Sequence, residues 1–189
     1  MTASTRFSLW RGIACAAVLS CLATGCGYTT RSMIASQYRT IYITPFVNKV
    51  DITRENDNVA NNYHLYRPML ETEVTSAVVQ KYLRDGNLRP VHSKDNADLV
   101  LEGQLVDFRK DALRYTTSND VQEYRVNVAV NMALYDEAAG HKLLWQENGF
   151  TGIATYFVTG AQAGTESGAI TDAITDLSRR IVERTVDQW

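Results

Sequence analysis

The sequence has no cysteine after residue 26. Its three cysteines, Cys15, Cys21 and Cys26, all lie near the N-terminus. A secreted domain that depends on disulfide bonds places an even number of cysteines within its folded region. A disulfide framework is therefore excluded for the rest of the chain, and we expect a hydrophobic core alone to stabilise the folded part.

The N-terminal segment also lacks a hydrophobic run long enough to span a membrane. The apolar run there, Ile13–Leu22, is shorter than the roughly 20 residues that a membrane-spanning helix needs. Arg6 and Arg11 precede this run and small residues follow it, which is the arrangement of a secretory signal peptide. We therefore predict a signal peptide over residues 1–25.

The segment from Leu22 to Cys26 resembles a lipobox, in which the cysteine receives a diacylglycerol before the peptide bond in front of it is cleaved. It departs from the usual pattern at Ala23, where Leu is common. We predict that Cys26 carries acyl chains such as palmitate and that residues 26–37 form a lipidated N-terminus and tether. The alternatives are lipidation of Cys21, which ends a second match, and ordinary signal-peptide cleavage without lipidation.

The chain has no excess of basic residues. Loss of Arg6 and Arg11 with the signal peptide leaves 17 Lys and Arg against 21 Asp and Glu. Proteins that bind nucleic acid generally carry a basic excess or a basic stripe. Nucleic acid is therefore not an expected partner. The length of the mature chain fits one domain, which we place at residues 38–189.

Motifs for enzymatic or metal chemistry are missing as well. His64, His92 and His141 are far apart and form no H-E-x-x-H motif. The serine within Gly164–Gly168 stands one position too late for the nucleophile motif G-x-S-x-G. The acidic stretch 51–57 alternates like calcium ligands but lacks the glycine that turns an EF-hand loop. We predict no catalytic residue, no metal, no cofactor and no enzymatic activity.

The first half of the mature chain predicts a strand, a polar loop and a helix. β-Branched and aromatic residues in Arg39–Phe46 predict the strand. The stretch Asn48–Tyr63 is crowded with polar residues and predicts a long loop. Apolar residues recur at helical spacing over residues 66–85, and Gly86 follows as a helix-ending residue.

The second half predicts three strands and a second helix. Alternation of apolar and polar residues over Tyr124–Tyr135 predicts a half-buried strand. Alternation in Asp98–Phe108 reverses near Leu105, which predicts a β-bulge. The remaining segments are a strand at Lys142–Phe150, a loose stretch at Gly152–Gly168 and a helix at Glu166–Asp187. The order β-α-β-β-β-α predicts an α+β two-layer sandwich, with two helices on one face of a four-stranded, mostly antiparallel sheet.

Basic side chains cluster in the hairpin that we predict between the second and third strands. Arg109, Lys110 and Arg114 flank Asp111 and lead into Tyr115. Cationic side chains beside an aromatic ring are suited to the phosphate groups of a lipid or glycolipid headgroup. We name these three basic residues as candidate ligands of such a headgroup. The alternative is an ordinary solvated hairpin.

Several short segments, taken in order, resemble the LPS-assembly lipoprotein (LptE-like) family. They are Cys26–Tyr28, Arg39–Asn48, Leu83–Gly86, Ala97–Gly103, Glu123–Arg125, Leu144–Trp145 and Gly149–Gly152. The resemblance covers nearly the whole mature chain and implies a four-stranded sheet backed by two helices. It also implies a lipoprotein that binds lipopolysaccharide and plugs a large outer-membrane β-barrel, whose assembly it assists.

The resemblance further implies where the protein resides. Gly27 follows the predicted lipidation site, where Asp would retain a lipoprotein at the inner membrane. This is consistent with the periplasmic face of the outer membrane of a Gram-negative bacterium. The polar insert Asn48–Asn62 departs from the family pattern. The resemblance therefore does not predict whether this loop contacts a partner.

The resemblance also suggests a function for the loose stretch Gly152–Gly168. Tyr156 and Phe157 are two large rings among small residues, and aromatic side chains are common anchors in protein interfaces. We predict that they contact the barrel partner; the alternative is a surface loop without a partner. For the whole protein, the alternative is a stand-alone periplasmic binding or envelope-structural lipoprotein.

The lipidation site can be tested directly. Cys26→Ser should abolish labelling of the protein by radioactive palmitate and release it from the membrane fraction, because serine has no thiol to accept a diacylglycerol. Cys21→Ser is the matched control and should leave both properties unchanged. Labelling that is lost only in the Cys21 variant would move the site to that residue.

Overall fold

The computed structural model of the protein describes residues 37–51 and 62–186. The predicted signal peptide, the lipidation site Cys26 and nearly all of the tether predicted at 26–37 lie outside the described residues, as does most of the polar insert predicted at 48–62. Among the described residues, no helix is long and apolar enough to cross a membrane.

Seven strands and two helices make up the described part of the chain. In chain order they are β1 (Thr40–Ile43), β2 (Val47–Asn48), β3 (Asn62–His64), α1 (Leu70–Asp85), β4 (Arg89–Pro90), β5 (Leu99–Tyr115), β6 (Val121–Asp136), β7 (Lys142–Phe157) and α2 (Glu166–Val186). A single 3-10 turn at Lys94–Asn96 precedes β5. β5, β6 and β7 are 17, 16 and 16 residues long and dominate the sheet.

All seven strands belong to one mixed sheet. β4, β1, β5, β6 and β7 lie side by side in that order; β1 is parallel to both neighbours, and the three long strands are antiparallel. β2 and β3 pair with β5 farther along the edge that β1 occupies, β2 in parallel and β3 antiparallel. The predicted α+β class with two helices is therefore confirmed. The predicted four-stranded, mostly antiparallel sheet is corrected to a mixed sheet of seven strands.

The additional strands are too short for a sequence pattern to reveal. β2 and β4 have two residues each and β3 has three. β3 begins within the stretch predicted as a polar loop, and β4 contains Pro90, a residue type that rarely occurs inside strands. Period-two alternation needs about four residues to be recognised, so these strands leave no signal.

β5 and β7 extend beyond the ends predicted for them. β5 continues to Tyr115 rather than ending at Phe108, so the predicted hairpin of basic residues is itself strand. β7 continues to Phe157 rather than ending at Phe150, and it absorbs the first part of the stretch predicted to be loose. The charged and small residues of both extensions weaken the alternation. The predicted bulge is confirmed by a shift of register immediately after Leu105.

Helices α1 and α2 pack on one face of the sheet and enclose the hydrophobic core. The core side chains of β6 are Val126, Val128, Val130, Met132 and Leu134. Those of the helices include Val74, Val78, Tyr82, Ala173, Leu177 and Ile181. α1 begins at Leu70 rather than at residue 66, because Met69 adopts a left-handed conformation with φ of 60°. It ends before Gly86, as predicted.

Gly152 sets the distance between α2 and β7. A Cβ atom at this position would lie 2.4 Å from the carbonyl oxygen of Ala173 and 2.4 Å from Cβ of Leu177. Both distances are far shorter than van der Waals contact, so only glycine permits this approach. The helix α2 therefore lies directly against β7, which explains why a glycine occurs inside this strand.

Candidate functional site

The sheet face opposite the helices, here called the open face, carries a concentration of polar side chains. Side chains alternate along a strand, so the residues between the core positions of β6 point to this face. They include Glu123, Arg125, Asn127, Asn131 and Tyr135. Their partners across β5 include Gln104, Arg109 and Asp111. The open face is therefore the polar face of the sheet.

Asp111 is the centre of a hydrogen-bonded network on the open face. This buried carboxylate accepts hydrogen bonds from Asn127 Nδ2 at 2.8 Å, Arg125 Nη2 at 3.0 Å and Arg109 Nε at 3.3 Å. Arg109 also pairs with Asp107. A buried charge is tolerated when it is paired and hydrogen-bonded. The Asp111 network meets this condition and holds both arginines in place.

The end of the sheet at the β5–β6 turn combines a basic side chain with exposed apolar ones. Arg114 pairs with Glu123 across the two strands, with 2.8 Å between Nε and Oε2, and its guanidinium carbon lies 5.8 Å from the centre of the Phe157 ring. The Arg114 side chain is 65% exposed. Three exposed apolar side chains lie at the same end, namely Leu113, Tyr115 and Val158. We call Leu113–Tyr115 together with Phe157 and Val158 the hairpin end.

Lys110 lies on the opposite face, at the start of α2. Its ammonium group pairs with Glu166 and lies 4.9 Å from the centre of the Tyr124 ring. Tyr156 stacks on Tyr124 with 5.7 Å between ring centres, and its hydroxyl donates to Glu166 at 3.3 Å. Burial, and then the Glu166 carboxylate, raises the pKa of Tyr156 to about 12. Lys110 and Tyr156 therefore belong to a cluster that ties α2 to the sheet.

The structure separates residues that the sequence groups together. Arg109 lies on the open face and Lys110 on the helix face, because consecutive residues of a strand point to opposite sides. The register shift between Ala112 and Arg114 returns Arg114 to the open face, where it pairs with Glu123. The same alternation separates Phe157 at the hairpin end from Tyr156, which packs against the core. The three candidate basic residues therefore do not converge on one point.

Asp111, as the centre of a network, and Arg125, as its cross-strand partner, were not identified from the sequence as site residues. Their pairing follows from the position of the β5–β6 turn, where Thr116 donates its backbone N–H to Asp120 at 2.8 Å and Asn119 has φ of 67°. Asparagine in a short polar stretch is a turn signal. Once the position of the turn is known, it determines which residues of β5 and β6 lie opposite each other.

His141 closes the β6–β7 turn. It has φ of 61° and follows Gly140, which has φ of 77°. Its Nδ1 lies 2.6 Å from a carboxylate oxygen of Glu137, and its ring stacks on Tyr135 with 4.1 Å between centres. Over residues 37–51 and 62–186, no group of three or more His, Cys, Asp or Glu side chains is arranged to hold a metal ion.

The fold and the open face define a two-layer α+β domain with polar groups on one face of its sheet. The chain matches the sequence profile of the LptE family, described as lipopolysaccharide-assembly, over residues 38–188. The chain therefore belongs to the LptE family, and the resemblance predicted from short segments is confirmed. Family membership supports an LPS-assembly-type lipoprotein of the bacterial envelope.

Solved structures with low sequence identity also match the chain. The hypothetical protein CT253 from Chlamydia trachomatis is 11% identical, with a TM-score of 0.48 over 78% of this chain and 95% of that one. The uncharacterized lipoprotein B from Nitrosomonas europaea is 17% identical, with a TM-score of 0.44 over 78% and 84%. Rare lipoprotein B from Shewanella oneidensis is 14% identical, with a TM-score of 0.42 over 76% and 92%. No curated protein sequence matches the chain.

The Asp111 network predicts a loss of stability when its centre is removed. Asp111→Ala leaves Arg109 and Arg125 beside each other without their shared acceptor, so the free energy of unfolding should fall by about 1–3 kcal/mol. Urea denaturation of the mature domain measures this change. Glu183→Ala, which breaks an exposed pair with Arg179, is the control and should change stability by less than about 1 kcal/mol. Equal effects of the two substitutions would contradict a structural role for the network.

Proposed function

We propose that the protein is a lipid-anchored subunit of the outer-membrane lipopolysaccharide translocon, which binds lipopolysaccharide and serves as the plug of its β-barrel. Membership of the lipopolysaccharide-assembly family supports the choice of ligand. The observation that carries the proposal is the hairpin end. It combines an exposed cation with exposed apolar side chains, which suits a ligand that has both phosphate groups and acyl chains.

Arg114 is the residue best placed to bind a phosphate group. Its side chain is 65% exposed, and Glu123 holds it through Nε. A guanidinium group has five N–H donors, so it is able to bind phosphate while the contact with Glu123 is retained. Leu113 and Tyr115, its neighbours in the chain, are exposed and offer apolar surface at this end of the sheet to an acyl chain.

Arg109 and Lys110 have different roles in this proposal. The Arg109 side chain remains 37% exposed, but Asp107 and Asp111 neutralise its charge, so we assign it to the Asp111 network rather than to the phosphate contact. Lys110 is on the other side of the sheet and pairs with Glu166. We therefore assign Lys110 to the junction between α2 and the sheet rather than to the headgroup that Arg114 binds.

Substitution of Arg114 tests the phosphate contact. Arg114→Ala should weaken binding of lipopolysaccharide to the purified mature domain by roughly tenfold or more, because one charge-assisted hydrogen-bonding group is lost. Titration with fluorescently labelled lipopolysaccharide measures this change. Lipopolysaccharide whose lipid A lacks phosphate should bind the unaltered domain and the Arg114 variant alike.

Two further variants make this test specific. Arg179→Ala is the matched control, since Arg179 is also an exposed arginine with carboxylate partners, Asp176 and Glu183, but lies on α2. Lys110→Ala tests the separation of the two sheet faces. Both should bind lipopolysaccharide like the unaltered domain. Unchanged binding by the Arg114 variant, or an equal loss in the Arg179 variant, would remove Arg114 from the site.

The hairpin end and the adjoining part of β7 form the surface that we propose contacts the barrel. Phe157 lies beside Arg114, and Ile153 and Val158 are 42% and 44% exposed. Several large apolar side chains on one exposed surface indicate a partner. Tyr156 packs against the core instead, so Phe157 rather than Tyr156 supplies the aromatic contact in this proposal.

Affinity purification tests the partner. Phe157→Ser combined with Val158→Ser should lower, several-fold, the amount of a large outer-membrane β-barrel protein that copurifies from envelopes solubilised in mild detergent. Tyr66→Ser combined with Met69→Ser, which replaces exposed apolar residues near the start of α1, is the control and should copurify fully. If the unaltered protein retains no barrel in stoichiometric amount, the alternative of a stand-alone lipoprotein is favoured.

A further inference from the structure

A polar groove occupies the far end of the open face. It has a volume of about 400 Å³, and the segment after β1 forms one wall. Four amide side chains line it, namely Gln104, Asn131, Gln146 and Asn148. At about 3.3 Å per strand residue, Gln104 lies roughly 30 Å from Arg114 along β5. The groove is therefore distinct from the hairpin end.

The strand register brings the amides together. Gln104 pairs with Asn131 across β5 and β6, and Gln146 pairs with Ala133 across β6 and β7. The small side chain of Ala133 leaves space beside Gln146 at the middle of the groove. The backbone N–H of Gly149 donates to Oδ1 of Asn131 at 2.9 Å, which fixes the orientation of that amide. The Asn131 amide is thus oriented before any ligand binds, and the strand register brings the other amides beside it.

Tyr135 lines one end of the groove. It lies two residues beyond Ala133 on the same face of β6, and its ring stacks on His141 with an angle of 9° between the ring planes. This stacking limits rotation of the tyrosine ring. Glu102, whose carboxylate lies 3.8 Å from His141, is the one charged side chain among the described residues that line the groove.

The lining defines the class of ligand. A phosphate group or a polyanion finds no cationic partner among the described lining residues. The four amides and Glu102 interrupt the apolar surface that Pro45, Val47 and Tyr135 would offer an acyl chain. Each amide offers donors and an acceptor in one plane, which match adjacent hydroxyl groups of a sugar ring. An aromatic wall suits the C–H face of such a ring. We infer that this groove binds neutral sugar residues of an oligosaccharide.

Two sources of neutral sugars fit this groove, the glycan part of a glycolipid and free glycan strands. The first source rests on the proposed function, in which lipopolysaccharide binds at the hairpin end of the same face. The second source does not depend on it. Probes without phosphate and without acyl chains therefore report on the groove alone, whether or not the hairpin end binds lipopolysaccharide.

Nuclear magnetic resonance titration of the isotope-labelled mature domain tests the inference. The probes are a dephosphorylated lipopolysaccharide core oligosaccharide and chitotetraose, each up to about 10 mM, since a few sugar residues bind weakly. We expect the side-chain amide signals of Gln104 and Gln146 to shift with at least one probe. A shift with the core oligosaccharide alone points to the glycolipid, and a shift with chitotetraose alone points to free glycan. No shift with either probe would overturn the inference.

Variants confirm the position of the site. Gln104→Ala and Gln146→Ala, both at exposed positions, should each raise the dissociation constant of the responding probe about two- to tenfold through loss of a neutral hydrogen-bonding group. Gln80→Ala, an exposed glutamine of α1, is the matched control and should leave it unchanged. An equal effect of all three substitutions, or no effect of either groove variant, would place binding elsewhere and overturn the inference.

Discussion

The continuous pairing of β5 with β6 is the interaction on which the rest of the structure depends. The register runs from Leu99 opposite Asp136 to Tyr115 opposite Val121, interrupted by bulges. Because side chains alternate, this pairing directs the apolar residues of β6 to the helices and its polar residues to the open face. A slip by one residue would exchange the two sets. The hydrogen bonds that Asp111 accepts from Arg125 and Asn127 hold the register, since only this alignment compensates the buried carboxylate.

The packing of α2 on β7 then determines how the edge of the sheet meets a partner. Gly152 brings the helix close enough for Asp176 to accept the backbone N–H of Ile153 at 3.1 Å and for Arg180 to donate to the carbonyl of Thr151. Farther along, Gly164 donates its N–H to the carbonyl of Phe157. Such occupied groups hinder the addition of another strand at this edge. A partner at this part of β7 therefore meets side chains rather than free backbone.

The sequence predicted the parts of the fold that local patterns encode. The alternation of Tyr124–Tyr135, the reversal near Leu105 and the glycine after α1 each marked a feature that the structure contains. The basic residues after Phe108 were interpreted as a hairpin, although they belong to β5. This part of β5 carries charged side chains that neighbouring residues neutralise, so it lacks the apolar alternation by which a strand is recognised. Only the register shows that Lys110 and Arg109 point to opposite faces. The amide groove was equally invisible, since its lining comes from four separate segments that only the strand register brings together.

The chemical order along the open face matches the order of groups in an amphiphilic glycolipid. The hairpin end offers apolar side chains and Arg114, the middle is the self-neutralised Asp111 network, and the far end is an amide groove whose one charged side chain among the described lining residues is Glu102. Acyl chains, phosphate groups and neutral sugars follow the same sequence in such a lipid. If both proposed sites act on one molecule, the reverse orientation would place phosphate beside Glu102 and sugar on apolar surface. Binding of the glycolipid at one site would then raise its effective concentration at the other site, about 30 Å away on the same sheet. In that case the length of β5 would contribute to selectivity for the ligand.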